Sequence, residues 1–267
     1  MVGLNRTVRS RCAWLFHATA RRVTYWRAAG LRAPATGSCL VLAPHPDDEV
    51  LGCGATIARK AAAGTPVTVV IASDGELSDG AGRASEVVGS VRRAEALDAA
   101  RALGLPDAQV TLLGLPDGSL AAHEDRLVVA ICDALEATAP AQVFVCTAAD
   151  GHIDHVALNR ATREALGRTD TAARLFEYPI WAWMSWPWPM VSGITGQRRS
   201  IVAALRAALS PELVRVRAGK YRRAKRRALA CYESQLGSPE GGVGEGLPPN
   251  MLKAFDAPYE VFVGATP

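Results

Sequence analysis

Within the 267-residue chain, the run Ala43-Pro44-His45-Pro46-Asp47-Asp48-Glu49 sets one imidazole and three carboxylates inside five consecutive positions. Buried carboxylates without partners are costly, so this is poor packing material. Imidazole nitrogens and carboxylate oxygens together are what a divalent cation takes as ligands. The two prolines fix φ on either side of His45 and disfavour helix in the residues ahead of them, which makes the turn rigid. In such a turn His45 and Asp48 can converge on one ion while Asp47 points elsewhere. The acids would also suit a helix N-terminus through the macrodipole alone, and the run by itself leaves capping and a site evenly matched.

A second cluster breaks the tie. Asp150-Gly151-His152-Ile153-Asp154-His155 holds two of the five histidines in the chain, three positions apart. Each cluster follows a short apolar run, at 38–43 and 142–146, of the kind expected for a strand buried on both faces. Each precedes a helix-like stretch, the first running to Gly64 and the second over 156–166. Parallel neighbouring strands would bring both clusters into the crevice at the carboxyl ends of the sheet, where open α/β folds place ligands.

The remaining pattern alternates strand and helix. Residues 66–72 read as a strand, 85–103 as a helix ended by Gly104, 110–113 as a strand and 120–137 as a helix. The expected fold is therefore α/β, a Rossmann-like three-layer architecture with a mostly parallel sheet and right-handed crossovers. Gly52 and Gly54 make a poor dinucleotide fingerprint, since the third glycine is missing and the acids before them would repel a pyrophosphate.

The motifs resemble those of the PIG-L (LmbE-like) family of metal-dependent de-N-acetylases. The resemblance spans roughly residues 38–264. It rests on Pro44-His45-Pro46-Asp47-Asp48-Glu49, on Ser73-Asp74-Gly75, on Arg92-Arg93-Ala94-Glu95 and on His152-Ile153-Asp154-His155 in that order. Ile153 stands where the family more often has proline. The resemblance implies that His45, Asp48 and His155 hold one divalent metal, with zinc the first expectation and ferrous iron the other metal that suits the triad. It implies Asp47 as the general base toward the attacking water. His152 would stabilise the oxyanion as a protonated imidazole, and Asp154 would hold it in that state. Either Asp47 or His152 would then deliver a proton to the departing amine. Arg92 and Asp117 would contact the sugar, although Arg92 can equally pair with Glu95 or Glu86 and Asp117-Gly118 is a good turn. The implied reaction removes the acetyl group from an N-acetylglucosamine-type conjugate. A sibling reading cleaves a larger acyl group, and a third is a non-catalytic basic membrane-surface module.

Length and composition fit one enzyme-sized domain at 38–267 behind an N-terminal extension at 1–37. Apolar residues make up 49% of the chain and charged residues 21%, enough to bury a full core and ordinary for a globule. No apolar run approaches the roughly 18 to 20 residues of a membrane span. The six cysteines show no paired C-x-x-C spacing; Cys39, Cys53, Cys132 and Cys146 fall in strand or helix interiors and are expected to be reduced core residues of a cytoplasmic protein, with no secretory leader.

Charge is uneven. The first 37 residues hold seven arginines and no acid, so the net charge of +4 hides a basic arm on a mildly acidic body. Leu4, Val8, Leu15, Val23 and Trp26 recur at roughly helical spacing in that arm, which suggests an amphipathic helix that either lies on anionic lipid or packs on the domain. Residues 215–227 carry eight Lys or Arg and read as the solvated face of a helix; no nucleic-acid reading motif accompanies them. Trp181, Trp183, Trp186 and Trp188 are expected to wall the substrate cleft, with the alternation at 181 and 183 suggesting a half-buried strand. Residues 237–246 read as a mobile loop.

Overall fold

In chain order the elements are α1 (Val2–Arg27), β1 (Ala29–Gly30), β2 (Cys39–Ala43), α2 (Asp48–Ala62), β3 (Val67–Ser73), α3 (Ser85–Leu103), β4 (Val110–Leu115), α4 (Glu124–Thr138), β5 (Gln142–Cys146), α5 (Ile153–Arg168) and β6 (Arg174–Tyr178). They continue with α6 (Trp181–Met184), β7 (Leu213–Arg217), α7 (Arg222–Ala230), α8 (Glu233–Leu236), α9 (Pro249–Phe255) and β8 (Tyr259–Ala265). This computed structural model describes residues 2–30, 37–78, 85–184, 186, 212–236, 247 and 249–265. The 237–246 segment and Trp188 lie outside the described residues.

β2 and β5 form the centre because every residue of both is buried. Runs such as Leu40-Val41-Leu42 and Val143-Phe144-Val145 can satisfy their backbone only inside a sheet covered on both faces. The sheet order is β1-β7-β8-β6-β5-β2-β3-β4, and β8 alone runs antiparallel, to β6 and β7. From β2 the chain winds outward through β3 to β4, then returns to the other side of β2 as β5 and proceeds to β6. Right-handed crossovers then put α2 and α3 on one face and α4 and α5 on the other. α7 packs with α2 and α3, and α4 packs with α5. The winding direction reverses between β2 and β5, which are paired in parallel with Leu42 opposite Val145. The two polar clusters leave the sheet on either side of that switch point.

Three sequence expectations change. Residues 181–184 form a short helix instead of a strand. Trp183 and Trp186 are buried against α1, where Trp186 Nε1 donates to Thr24 Oγ1 (2.6 Å) and Arg21 Nη1 donates to the Trp183 carbonyl (3.0 Å), so they cannot stack on a substrate. The basic run is divided: Arg215 and Arg217 lie on β7, and Lys225 is buried on α7. Its Nζ donates to the Leu51 carbonyl (2.7 Å) and to Glu260 (2.8 Å), while Glu260 also accepts from the Ala55 and Thr56 amides (2.8 Å each). A lysine on a helix that is otherwise basic and exposed gives no sequence sign of being recruited this way. Gly52 has a packing role, since a Cβ there would lie 2.3 Å from the Tyr178 ring.

Removing one partner of a buried ion pair strands the other charge. Lys225→Met is therefore expected to lower the unfolding free energy by about 3 to 5 kcal/mol in urea titration. Arg223→Met, on the exposed side of the same helix, is expected to change it by less than about 0.5 kcal/mol.

Candidate metal and catalytic site

The turn after β2 is held from three sides. The Ser73 amide and hydroxyl at the end of β3 both donate to the Pro44 carbonyl (2.9 and 3.0 Å). The Asp47 carbonyl accepts from the amides of Val50 and Leu51, starting α2. Asp47 itself sits at φ 111°, a conformation that costs a non-glycine residue of order 1 to 3 kcal/mol and persists only when its surroundings impose it. Here they do so through Glu49, whose Oε2 accepts the Asp47 amide (3.1 Å) and whose Oε1 accepts the hydroxyl of buried Tyr232.

Across the switch point, β5 ends in a turn that delivers His152 as the N-cap of α5 and His155 one turn inside it. Asp48 Oδ2 lies 3.3 Å from His45 Nδ1 and 3.4 Å from His155 Nε2. A tetrahedral divalent ion with ligand bonds of 2.0 to 2.1 Å needs donor atoms about 3.4 Å apart, and both of these separations match that value. Each histidine is oriented from behind. His155 Nδ1 faces Asp150 at 2.8 Å, and the same carboxylate accepts the amides of Ile180 and Ala182. His45 Nε2 faces Asp154 (3.1 Å) and Asp117 (3.2 Å). Among the described residues, two triads have donor atoms that all lie within 4.8 Å of one another: His45, His152 and His155, and His45, Asp117 and Asp154.

Electrostatics divides the two adjacent acids. Burial, followed by the charge of Asp48, pushes the Asp47 carboxyl well above the usual carboxylate range. Burial also opposes ionisation of Asp48, but the contacts to His155 and His45 outweigh it and hold its carboxyl low. Asp48 is thus the charged partner of the imidazoles, and Asp47 is a carboxylate with a raised proton affinity. Burial pushes Glu49 up to about 7.

His152 departs from expectation. Burial, with the neighbouring His155 and His45, brings its imidazole down to about 4, so it is neutral instead of protonated. Asp154 does not hold it through a ring proton. The Asp154 carboxylate takes His45 Nε2 and the amides of Gly118 (2.7 Å) and Leu120 (3.0 Å), and only the Asp154 amide reaches His152, at Nδ1 (3.3 Å). A ring nitrogen that accepts there leaves the proton on Nε2, which makes His152 a neutral donor.

Arg92 is buried with its Nε lacking an acceptor among the described residues. Its guanidinium passes over Gly75, where a Cβ would lie 2.1 Å from Nη1 and where φ is +66°; both facts require glycine. Its positive charge acts on Asp47 and Asp117. Glu95 is engaged elsewhere, accepting from Ser234. Asp117 accepts the Leu77 amide (3.2 Å) as well as facing His45. Cys39, Cys53, Cys132, Cys146 and Cys231 are free thiols. Two contributors carried no assigned role in the sequence: Asp150, whose place two residues before His152 was the available sign, and Tyr232, which is 183 positions from its partner Glu49.

Comparison with known proteins gives the chain's relatives. The family model for PIG-L, GlcNAc-PI de-N-acetylase, matches residues 40–166. A 1D-myo-inositol 2-acetamido-2-deoxy-alpha-D-glucopyranoside deacetylase of Saccharopolyspora erythraea is 31% identical over 235 residues, covering 74% of this chain and 83% of the relative. Among solved structures, a conserved protein of Thermus thermophilus superposes with a TM-score of 0.59 at 26% identity, covering 86% of this chain and 94% of that one. The N,N'-diacetylchitobiose deacetylase of Pyrococcus horikoshii shares the fold, with a TM-score of 0.60 at 17% identity over 94% of this chain and 91% of that one.

Carboxylates that orient a ligating histidine typically contribute 10- to 100-fold to metal affinity. Asp150→Asn turns an acceptor toward His155 into a donor, and it is expected to weaken divalent-ion binding by about that factor in a chelator-competition titration. Tyr232→Phe is expected to leave metal binding unchanged.

Proposed function

Because the chain belongs to the PIG-L family of de-N-acetylases, we propose that it is a hydrolase that removes the N-acetyl group from an N-acetylglucosamine-type conjugate and releases acetate. The observation that carries this reading is the pairing of adjacent acids: Asp48 shares its oxygen with His45 and His155, while buried Asp47 stands beside that set with a raised proton affinity. His45, Asp48 and His155 would hold one divalent ion, with zinc the first candidate and ferrous iron the second. Such an ion supplies Lewis-acid polarisation of the amide carbonyl and lowers the pKa of water to about 7.

The protein groups supply the rest. Asp47 takes a proton from the attacking water, and burial, followed by the charge of Asp48, raises the proton affinity of that carboxylate. Nε2–H of His152 donates to the oxyanion that forms as water adds to the amide carbon, and a neutral donor in a buried site suffices for this. When the carbon–nitrogen bond breaks, Asp47 returns its proton to the departing amine. His152 is the poorer acid for that step, because its single ring proton is committed to the oxyanion. Arg92, whose Nε has no acceptor among the described residues, and Asp117 would bind sugar hydroxyls. The comparisons support an amino-sugar substrate through the relatives that act on one. No helix among the described residues is long and apolar enough to cross a membrane, and we keep the cytoplasm as the proposed compartment.

The test is acetate release from a panel of N-acetylglucosaminides by metal-reconstituted protein, with longer N-acyl analogues alongside. His155→Ala is expected to lose both metal and turnover. Asp47→Ala is expected to retain the metal and lose about 10²-fold or more in kcat. Full turnover by Asp47→Ala would remove the assigned base, and preference for the longer acyl groups would replace deacetylase with amidase.

A further inference from the structure

The helix α1 has two unlike faces. His17, Arg21, Thr24, Tyr25 and Ala28 point to the body: His17 Nδ1 lies 2.9 Å from the Trp186 carbonyl, the Tyr25 ring packs edge-on to Trp183, and Arg21 and Thr24 make the bonds described above. The helix continues into β1, which joins the sheet edge beside β7, so this face is fixed. The opposite face is in water and mostly apolar; Thr19, exposed in its middle, donates its hydroxyl to the Leu15 carbonyl (2.9 Å). Trp26 is 84% exposed, and Leu15, Phe16 and Val23 are each more than half exposed. At about 100° per residue, Leu15, Trp26, Val23 and Phe16 fall within one sector of roughly 100°, with Arg22 and Arg27 on its two borders. Both arginines are exposed.

An exposed tryptophan, a phenylalanine and aliphatic side chains bordered by arginines make the face of a helix that lies in a membrane interface. The apolar stripe enters the acyl boundary while the guanidinium groups stay among phosphates. The first 37 residues carry seven arginines and no acid, which complements an anionic surface and leaves no carboxylate to be repelled by it. A nucleic acid would use the arginines but leave the apolar sector in water. We propose that the outer face of α1 docks on the surface of an anionic phospholipid bilayer. The helix then lies in the plane of the interface, with the body attached through its inner face. This inference does not depend on the catalytic reading.

The full-length protein, incubated with vesicles of phosphatidylcholine containing about one-third phosphatidylglycerol, is expected to co-sediment with them and to stay in solution with pure phosphatidylcholine. Arg22→Ala and Arg27→Ala are each expected to weaken binding about fivefold, and Phe16→Ser and Trp26→Ser about tenfold or more. All four side chains are exposed, so the thermal midpoint should stay at the wild-type value, which separates lost docking from lost folding. Equal binding by wild type and all four variants would overturn the proposal, as would no binding to the anionic vesicles or equal binding to the neutral ones. Retention on duplex RNA or DNA that depends on Arg22 and Arg27 but not on Trp26, without vesicle binding, would replace it with a nucleic-acid surface.

Discussion

Asp47, Asp48 and Glu49 are consecutive carboxylates, and none is more than 7% exposed. Three acids cannot share a low-dielectric pocket as three anions, because each loses hydration and repels its neighbours. The surrounding structure resolves this by giving each a different partner. Asp48 is matched by two imidazoles and stays ionised. Glu49 accepts from Tyr232 and from the Asp47 amide. Asp47 has the positive charge of Arg92 nearby and keeps a high proton affinity. The three carboxylates thus pose one electrostatic problem solved three ways within three residues.

The solution reaches far along the chain. Asp150 orients His155 and at the same time receives the amides of Ile180 and Ala182, so the turn after β6 is clamped to the His155 side chain. The α6 segment that follows carries Trp183, against which α1 packs. On the other side Tyr232 ties the end of α7 to Glu49, and Lys225 on the same helix ties it to α2 and β8. The site therefore sits on the rigid centre of the sheet, while elements late in the chain hold its side chains in place.

Much of the α/β order is legible because its causes are local. Strands such as 39–43 and 142–146 are short apolar runs between turn residues, and Asp and His rarely cluster after both by chance. The convergence of His45, Asp48 and His155 follows from one further step, the parallel pairing of β2 with β5. What stays hidden depends on distant partners. The adjacency of His152 and Asp154 suggests a cation held by its neighbour, but the carboxylate turns back to His45 and two amides in the loop after β4. Lys225 looks like one more solvated lysine, because nothing near it in sequence announces Glu260. Aromatic content does not say which surface a tryptophan faces, and here the N-terminal helix covers two of those expected in the cleft.

His45 has a donor on each side of its ring, and two other triads around it, His45/His152/His155 and His45/Asp117/Asp154, compete with the proposed one. The assignment of His45, Asp48 and His155 is most directly tested by an anomalous-difference map from crystals of the zinc-loaded protein. The account predicts a single peak within bonding distance of His45 Nδ1, Asp48 Oδ2 and His155 Nε2, with Asp47 beside the ion but not bound to it. A peak between His45 Nε2, Asp117 and Asp154, or one that takes His152 in place of Asp48, would contradict it.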